Sequence, residues 1–472
     1  MELFTTRPEL CGTFGAVATT HWIASAVGMR ILEQGGNAFD AAVAAGFVLQ
    51  VVEPHLNGPG GDAPILAARA NDDAPTVICG QGCSPNAATA EKFRSLGLEL
   101  IPGTGLLAAC IPGAYGAWIT LARDFGTLPL RDILGPAISY AQNGDTISSV
   151  KSLFTSEWTT SAAIFLDQGN VPQVGSLFRN LALANLYTRI VEHSEASGGS
   201  REAQLDAALS YWYEGEVAEA VDIFFRENKL LDVSGRRHAG LLSADDFADW
   251  RPPIENPVSM TTGEAEVFKC GAWSQGPTML QALRILDQAG IDAHQPESAE
   301  FVHYVTEATK LAMADRDAWY GDDDKVPLDV LLSKSYADER HILIGRLASE
   351  KFRPGKVKGH VFDMTTLLMK GANVPTSQRS GQGEPTMALE RKQAAGTSID
   401  SAYDKQRGDT CHVDVVDRWG NMVSATPSGG WLQSSPIIPQ LGFAMGTRMQ
   451  MFWLESGHAN SLQPGKRPRT TL

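Results

Sequence analysis

Apolar and polar positions alternate at two different rhythms along this chain. Residues 22–34 read as a helix, closed by Gly35 and Gly36 at its C-terminal end. Asn37 is placed to cap the next helix, with Asp40 three positions on beside the free N–H groups of the first turn. That second helix, 38–52, is apolar almost all round and is expected to be buried. Residues 16–21, 64–69 and 75–79 read as short strands. The run from Glu53 to Asp62 is rich in Gly and Pro and reads as an irregular loop with close backbone approach.

Further on, 112–125 and 131–143 read as helices separated by the turn Gly126-Thr127-Leu128-Pro129-Leu130. Residues 150–250 are mostly helical, with a polar surface loop expected at 194–200. Residues 256–272 look extended, and 277–289 and 298–320 look helical. In the last of these Phe301, Val305, Ala308 and Ala312 share one face at spacings of three and four. Residues 371–408 carry Gly, Ser, Thr, Gln and Lys with little periodicity and are expected to be flexible. A strand-like run follows abruptly from Thr410 to Asp417. It turns at Arg418-Trp419-Gly420-Asn421 and returns through 422–426. The pattern is that of a mixed α/β protein.

Composition bounds the function. Of 472 residues, 43% are hydrophobic and 20% charged, ordinary values for a globular chain with a sizeable core. A formal net charge of −15 argues against a phosphate-backbone partner, which needs a basic face. No apolar run reaches the length of a membrane span. The N-terminus lacks a basic and then apolar leader. A cytoplasmic protein is therefore expected, or a periplasmic one if a leader is missing. The six scattered cysteines suit free thiols better than a disulfide framework. No motif for a phosphate-binding loop, a serine elbow or a zinc protease is present. No metal and no cofactor is expected.

The chemistry that remains centres on Gly408-Asp409-Thr410-Cys411-His412. Cys411 and His412 are adjacent on a strand and point to opposite faces, so they do not form a dyad. His412 and Asp414 share a face and are expected to form a hydrogen-bonded pair. A threonine hydroxyl is a poor nucleophile until a base takes its proton. The α-amine of a chain-terminal threonine, with a reference pKa near ~8, is such a base. That chemistry requires the chain to be cut between Asp409 and Thr410. On local sequence alone, the commoner reading is that Thr410 merely begins a strand.

Several separated segments change the weighing. They are Ile31 to Val43, Val52-Glu53-Pro54 with the glycines of 58–61, Ile111-Pro112-Gly113-Ala114, and Gly126 to Leu130. Further on come Ala314 to Asp322, Asp409-Thr410 to Asp417 with Gly420-Asn421, and Gly465-Lys466-Arg467-Pro468. In this order they resemble the γ-glutamyltranspeptidase family of N-terminal-nucleophile hydrolases. The resemblance implies a four-layer αββα sandwich made as one precursor, which cuts itself into large and small subunits. Here the large-subunit region is 1–409 and the small-subunit region 410–472. It also implies that Thr410 attacks an amide carbonyl and that water or an amine takes up the acyl group. Ser428 matches the threonine that supports the nucleophile's hydroxyl. Thr470 and Thr471 match a pair of serines that bind the substrate carboxylate.

The chain departs from the family's pattern at the substrate. Gln81 falls where the family has an arginine for the glutamyl α-carboxylate. Gln450 falls near an acidic residue that holds the α-ammonium, and Gly430 takes the place of an asparagine. Glutamine cannot replace the charge of either anchor, and hydrogen bonds to charged groups are roughly twice as strong as neutral ones. Met449, Met451, Phe452 and Trp431 would form an apolar pocket wall or ordinary core. In the family the small subunit continues past the Thr470-Thr471 match to a Gly-Gly oxyanion hole, so a truncated small-subunit region is expected. Three readings stay open: a self-processing amidase or acyltransferase for a non-glutamyl amide, a true γ-glutamyl transferase, and an uncut relative that only binds.

Overall fold

The computed structural model describes residues 11–143, 151–172, 178–296, 298–359, 383 and 410–472. Asp409 and the segment 371–409, apart from Gly383, lie outside the described residues.

Ten strands are described: β1 (Gly15–Thr19), β2 (Ala63–Ala68), β3 (Thr76–Gly80), β4 (Leu230–Leu231), β5 (Arg237–His238), β6 (Ile254–Glu255), β7 (Val258–Thr262), β8 (Ala265–Lys269), β9 (Val413–Asp417) and β10 (Met422–Ala425). Six of them form one antiparallel sheet in the order β1-β9-β10-β2-β3-β6. The hairpin β9–β10, more than 300 residues downstream of β1 and β2, is thus inserted between them. The run from Thr410 onward belongs to the middle of the sheet that the first 80 residues begin.

Strand alternation sorts the sheet's two faces. Ile65, Ala67, Val413, Val415, Val423 and Ala425 point to one face and join the main core. Helices Trp22–Glu33, Ala38–Val52 and Ala114–Phe125 cover that face. On the other face Val77 and Cys79 of β3 pack against Cys270 and Trp273, which follow β8. The β7–β8 hairpin packs in turn against helix Gly276–Gln288, and that helix against Ala299–Trp319. The layer order is helix, sheet, sheet, helix, the expected αββα arrangement, with a second sheet of two strands among the described residues.

Helix Ala38–Val52 is buried along nearly its whole length, as its uniform apolarity requires. Asn37 and Asp40 form a reciprocal capping box. Asp40 also accepts from the Thr127 N–H at 2.9 Å, the Thr127 hydroxyl at 2.7 Å and the Leu128 N–H at 3.1 Å. The turn at 126–130 is therefore tied to the start of that helix. Asp417 does similar work at the β9–β10 turn. It accepts from the N–H groups of Ala38 at 2.9 Å, Trp419 at 2.9 Å and Asn421 at 3.0 Å, and from the Asn421 amide at 2.8 Å.

Two expected boundaries shift. The first strand ends at Thr19 instead of 21, because His21 caps the following helix, accepting from the Ile23 N–H at 3.3 Å. The polar loop expected at 194–200 shrinks, because helix Leu181–Ala196 runs through Ser194 and Glu195 before Ser200 caps the next. Propensity alone could not show that the buried Ser194 hydroxyl donates to the Gln204 carbonyl at 2.7 Å.

Candidate active site

Thr410 stands in a β-bridge to Ser428, and Ser428 in a second bridge to Asp62. The two bridges differ. Ser428 exchanges both backbone hydrogen bonds with Asp62, each at 2.8 Å. Beside Thr410 the bond runs from the Cys411 N–H to the Pro427 carbonyl at 3.0 Å. This is the pattern of a pair without mutual hydrogen bonds, in which side chains approach most closely. Directly opposed residues share a face. Thr410, Ser428 and Asp62 thus form one row across three strands, on the side away from the helices. The Thr410 and Ser428 hydroxyl oxygens are 3.4 Å apart.

The backbone beneath this row is locked. A side chain on Gly61 would meet the carbonyls of Ser428 and Gly429 at 2.2 and 2.4 Å. Gly430, with φ +62°, brings its carbonyl to 2.4 Å from where a side chain on Gly58 would begin. Only residues without a Cβ permit this approach. The glycines of 58–61 are thus the bed on which the Ser428–Gly430 segment lies.

Behind Thr410, Cys411 is buried. It donates to Glu53 at 3.2 Å and accepts from the Asn57 amide at 3.1 Å. Burial pushes its thiol well above the ordinary range. His412 points the other way, 3.0 Å from Asp414 and 3.1 Å from the Thr426 hydroxyl. The two side chains diverge, as strand geometry requires.

At the far end of the row Asp62 pairs with Arg448, whose Nη2 lies 2.9 Å from Oδ1. Burial raises the Asp62 carboxyl above its ordinary value, with Arg448 opposing the rise. Neither residue stood out in the sequence as a site residue. The available signals were an acid closing a Gly-Pro-Gly-Gly run and a lone arginine within the apolar stretch 441–454.

The remaining expected site residues fall at varying distances from the row. Gln81 is fully buried, and neither polar atom of its amide has a hydrogen-bond partner among the described residues. Ala63 pairs with Gly80, so one further step of the same register sets Gln81 opposite Asp62. Gln450 follows Arg448 in a short 3-10 turn and donates to the Gly383 carbonyl at 2.8 Å. Met449 and Phe452 of that turn are core residues, packed with Phe93, Leu98 and Ile101. Thr470 is buried, its N–H donating to the Trp273 carbonyl at 2.9 Å. Thr471 is half-buried beside it. Upstream of them, Arg467 anchors the terminal segment through Asp322 and Glu255.

A family model described as Gamma-glutamyltranspeptidase matches residues 24–472. The chain belongs to that family. It is 29% identical to the glutathione hydrolase-like YwrD proenzyme of Bacillus subtilis (strain 168), over 98% of this chain and 76% of that protein. Among solved structures, LmbA2991 is 47% identical with a TM-score of 0.88, covering 99% of this chain and 77% of that one. The cephalosporin acylase from Bacillus halodurans is 26% identical with a TM-score of 0.76, covering 100% of this chain and 76% of that one. The chain is accordingly an enzyme of the N-terminal-nucleophile hydrolase and acyltransferase type, with the fold of these γ-glutamyltranspeptidase relatives.

Proposed function

We propose that the chain is a precursor that cuts itself between Asp409 and Thr410, and that Thr410 then serves as nucleophile of an amide hydrolase or acyltransferase. The observation that carries this reading is the 3.4 Å approach of the Thr410 and Ser428 hydroxyls at the open end of the β9–β10 hairpin, an inner pair of the large sheet. The proenzyme status of the YwrD relative supports it. In the first step the Thr410 hydroxyl adds to the Asp409 carbonyl. The peptide C–N bond breaks, which frees the Thr410 amine and leaves an ester on its hydroxyl; water hydrolyses that ester, releasing the Asp409 carboxylate and the Thr410 hydroxyl. That amine then takes the hydroxyl proton as Thr410 attacks the substrate amide, and the leaving amine carries a proton away. Ser428 holds the hydroxyl in line. Water completes hydrolysis, or an acceptor amine completes transfer.

The relatives' names span a glutathione hydrolase-like proenzyme and a cephalosporin acylase, so the acyl group is the open variable. We favour a donor other than γ-glutamyl, because uncharged Gln81 and Gln450 stand at the two expected charged anchors. The test is intact-mass analysis after expression. Two pieces meeting at Thr410 are expected, and none from Thr410→Ala. A single uncut chain that still cleaves amides would overturn the reading. A strong preference for γ-glutamyl anilide over other acyl anilides would overturn the substrate part alone.

A further inference from the structure

The row that starts at Thr410 leads to a cation. Arg448 is pinned to Asp62 through Nε and Nη2, both directed at the same Oδ1. The guanidinium also reaches Gly429, with Nη2 3.7 Å from where a side chain on that glycine would begin. Its Nη1 edge makes no hydrogen bond to any described residue, and its side chain keeps 10% exposure. A guanidinium offers five donors in a planar fork, so the bonds to Asp62 hold its orientation and leave the Nη1 edge for a second anion.

The surroundings are polar and unsatisfied. Asp62 Oδ2 and both polar atoms of Gln81 are buried without a partner among the described residues. Buried polar atoms almost always find one. Neighbouring strands are about 4.8 Å apart, so two steps separate Thr410 from Asp62 by roughly 10 Å. The guanidinium Nη2 comes within 3.7 Å of the side-chain position of Gly429, the residue after Ser428. An acyl group held on Thr410 would reach it with a carboxylate two or three carbons beyond the scissile carbonyl.

We infer that Arg448, oriented by Asp62, is the specificity-determining anchor for a carboxylate on the acyl half of the substrate. The donor class is an amide of a short dicarboxylic acid, of succinyl to glutaryl length. This deepens the function proposed above and rests on Thr410 being the nucleophile. It restores to the site a positive charge that Gln81 lacks, at a different place in the sheet. Asp62 is a positioning residue. It fixes the fork and keeps the buried guanidinium compensated until the substrate carboxylate shares it.

The test compares succinyl-p-nitroanilide with its methyl ester on the full-length, self-cut protein. The wild type is expected to favour the acid at least 30-fold in kcat/KM, chiefly through KM. Arg448→Gln alone would strand a buried carboxylate and risk unfolding, so it is combined with Asp62→Asn. In that double variant the acid-to-ester ratio is expected to fall at least tenfold, and Arg448→Lys should retain part of the preference. An unchanged ratio in the double variant, or a wild type that prefers the ester, overturns the inference. A second measurement separates this from failure of the nucleophile reading. Succinate binding to Thr410→Ala, followed by calorimetry, needs no turnover. Loss of that binding on adding Arg448→Gln with Asp62→Asn supports the anchor even if no anilide is cleaved, and unchanged binding refutes it.

Discussion

Thr410 and Ser428 face each other across a β-bridge with their hydroxyl oxygens 3.4 Å apart, although 18 positions separate them in sequence. The first prediction follows from that approach. Removing the Ser428 hydroxyl leaves Thr410 in place but takes away the hydrogen bond between the two hydroxyls, a loss of about 1–2 kcal/mol. Ser428→Ala should therefore cut and turn over roughly 5- to 30-fold more slowly, whereas Ser428→Thr should stay close to wild type. Steady-state rates on an anilide, with the time course of subunit appearance on gels, check this. Equal slowing in both variants would point to packing in place of the hydroxyl.

Asp417 is the next prediction. Its carboxylate is 4% exposed and binds the helix start at Ala38 and the turn at Trp419 and Asn421 together. Hydrogen bonds to a charged group are each worth about 1.5–3 kcal/mol. Asp417→Ala should lower the unfolding free energy by about 3 kcal/mol or more, as measured by denaturant titration. A loss below about 1 kcal/mol would mean that water substitutes for the carboxylate.

The cysteines give a chemical prediction. All six are free, and Cys11 is exposed. Burial pushes the Cys83 thiol up to about 11 and the Cys270 thiol up to about 12. The thiolate is the reactive species. At pH 8 the native protein should take up iodoacetamide at Cys11 alone, and the denatured protein at all six, as read by peptide mass spectrometry. Rapid labelling of Cys411 in the native state would contradict the enclosure of that residue by Glu53 and Asn57.

Asp62 yields a pH dependence with a definite sign. Burial raises its carboxyl above the unfolded value of about 3.9, with Arg448 opposing the rise. Between the unfolded and the raised native value, the folded chain holds a proton that the unfolded chain has released. Stability contributed by this group is therefore present below about pH 4 and is lost as pH rises through the interval. Subtracting the Asp62→Asn unfolding curve from that of the wild type, pH by pH, should give a difference that falls as pH rises and then levels. A difference that rises with pH would show that the ion pair with Arg448 outweighs burial.

Much of the fold was legible in sequence because it is local. The capping pair Asn37 and Asp40, the all-round apolar helix that follows, and the turn at Arg418–Asn421 each depend on neighbours within a few positions. The divergence of Cys411 and His412 follows from strand alternation. The expected site was legible in a different way. Thr410 and Ser428 were marked by a resemblance spread over distant motifs. Within those motifs, Asp40 and Asp417 prove to be ties between elements, which spacing alone could not separate from chemistry.

The sequence by itself determined which segments form most of the helices and strands, that a strand and turn follow closely on Thr410, and that Gln81 and Gln450 bring no charge. Periodicity, capping and composition act over short range, so one dimension suffices for them. Only the tertiary structure decided that β9 and β10 enter the sheet between β1 and β2, setting Thr410, Ser428 and Asp62 in one row. Register across strands from opposite ends of the chain is set by packing on the shared core, and nothing local encodes it. The same packing brings Arg448 to Asp62, 386 positions away. It places at the far end of the row from Thr410 a charge that the sequence displays but does not locate.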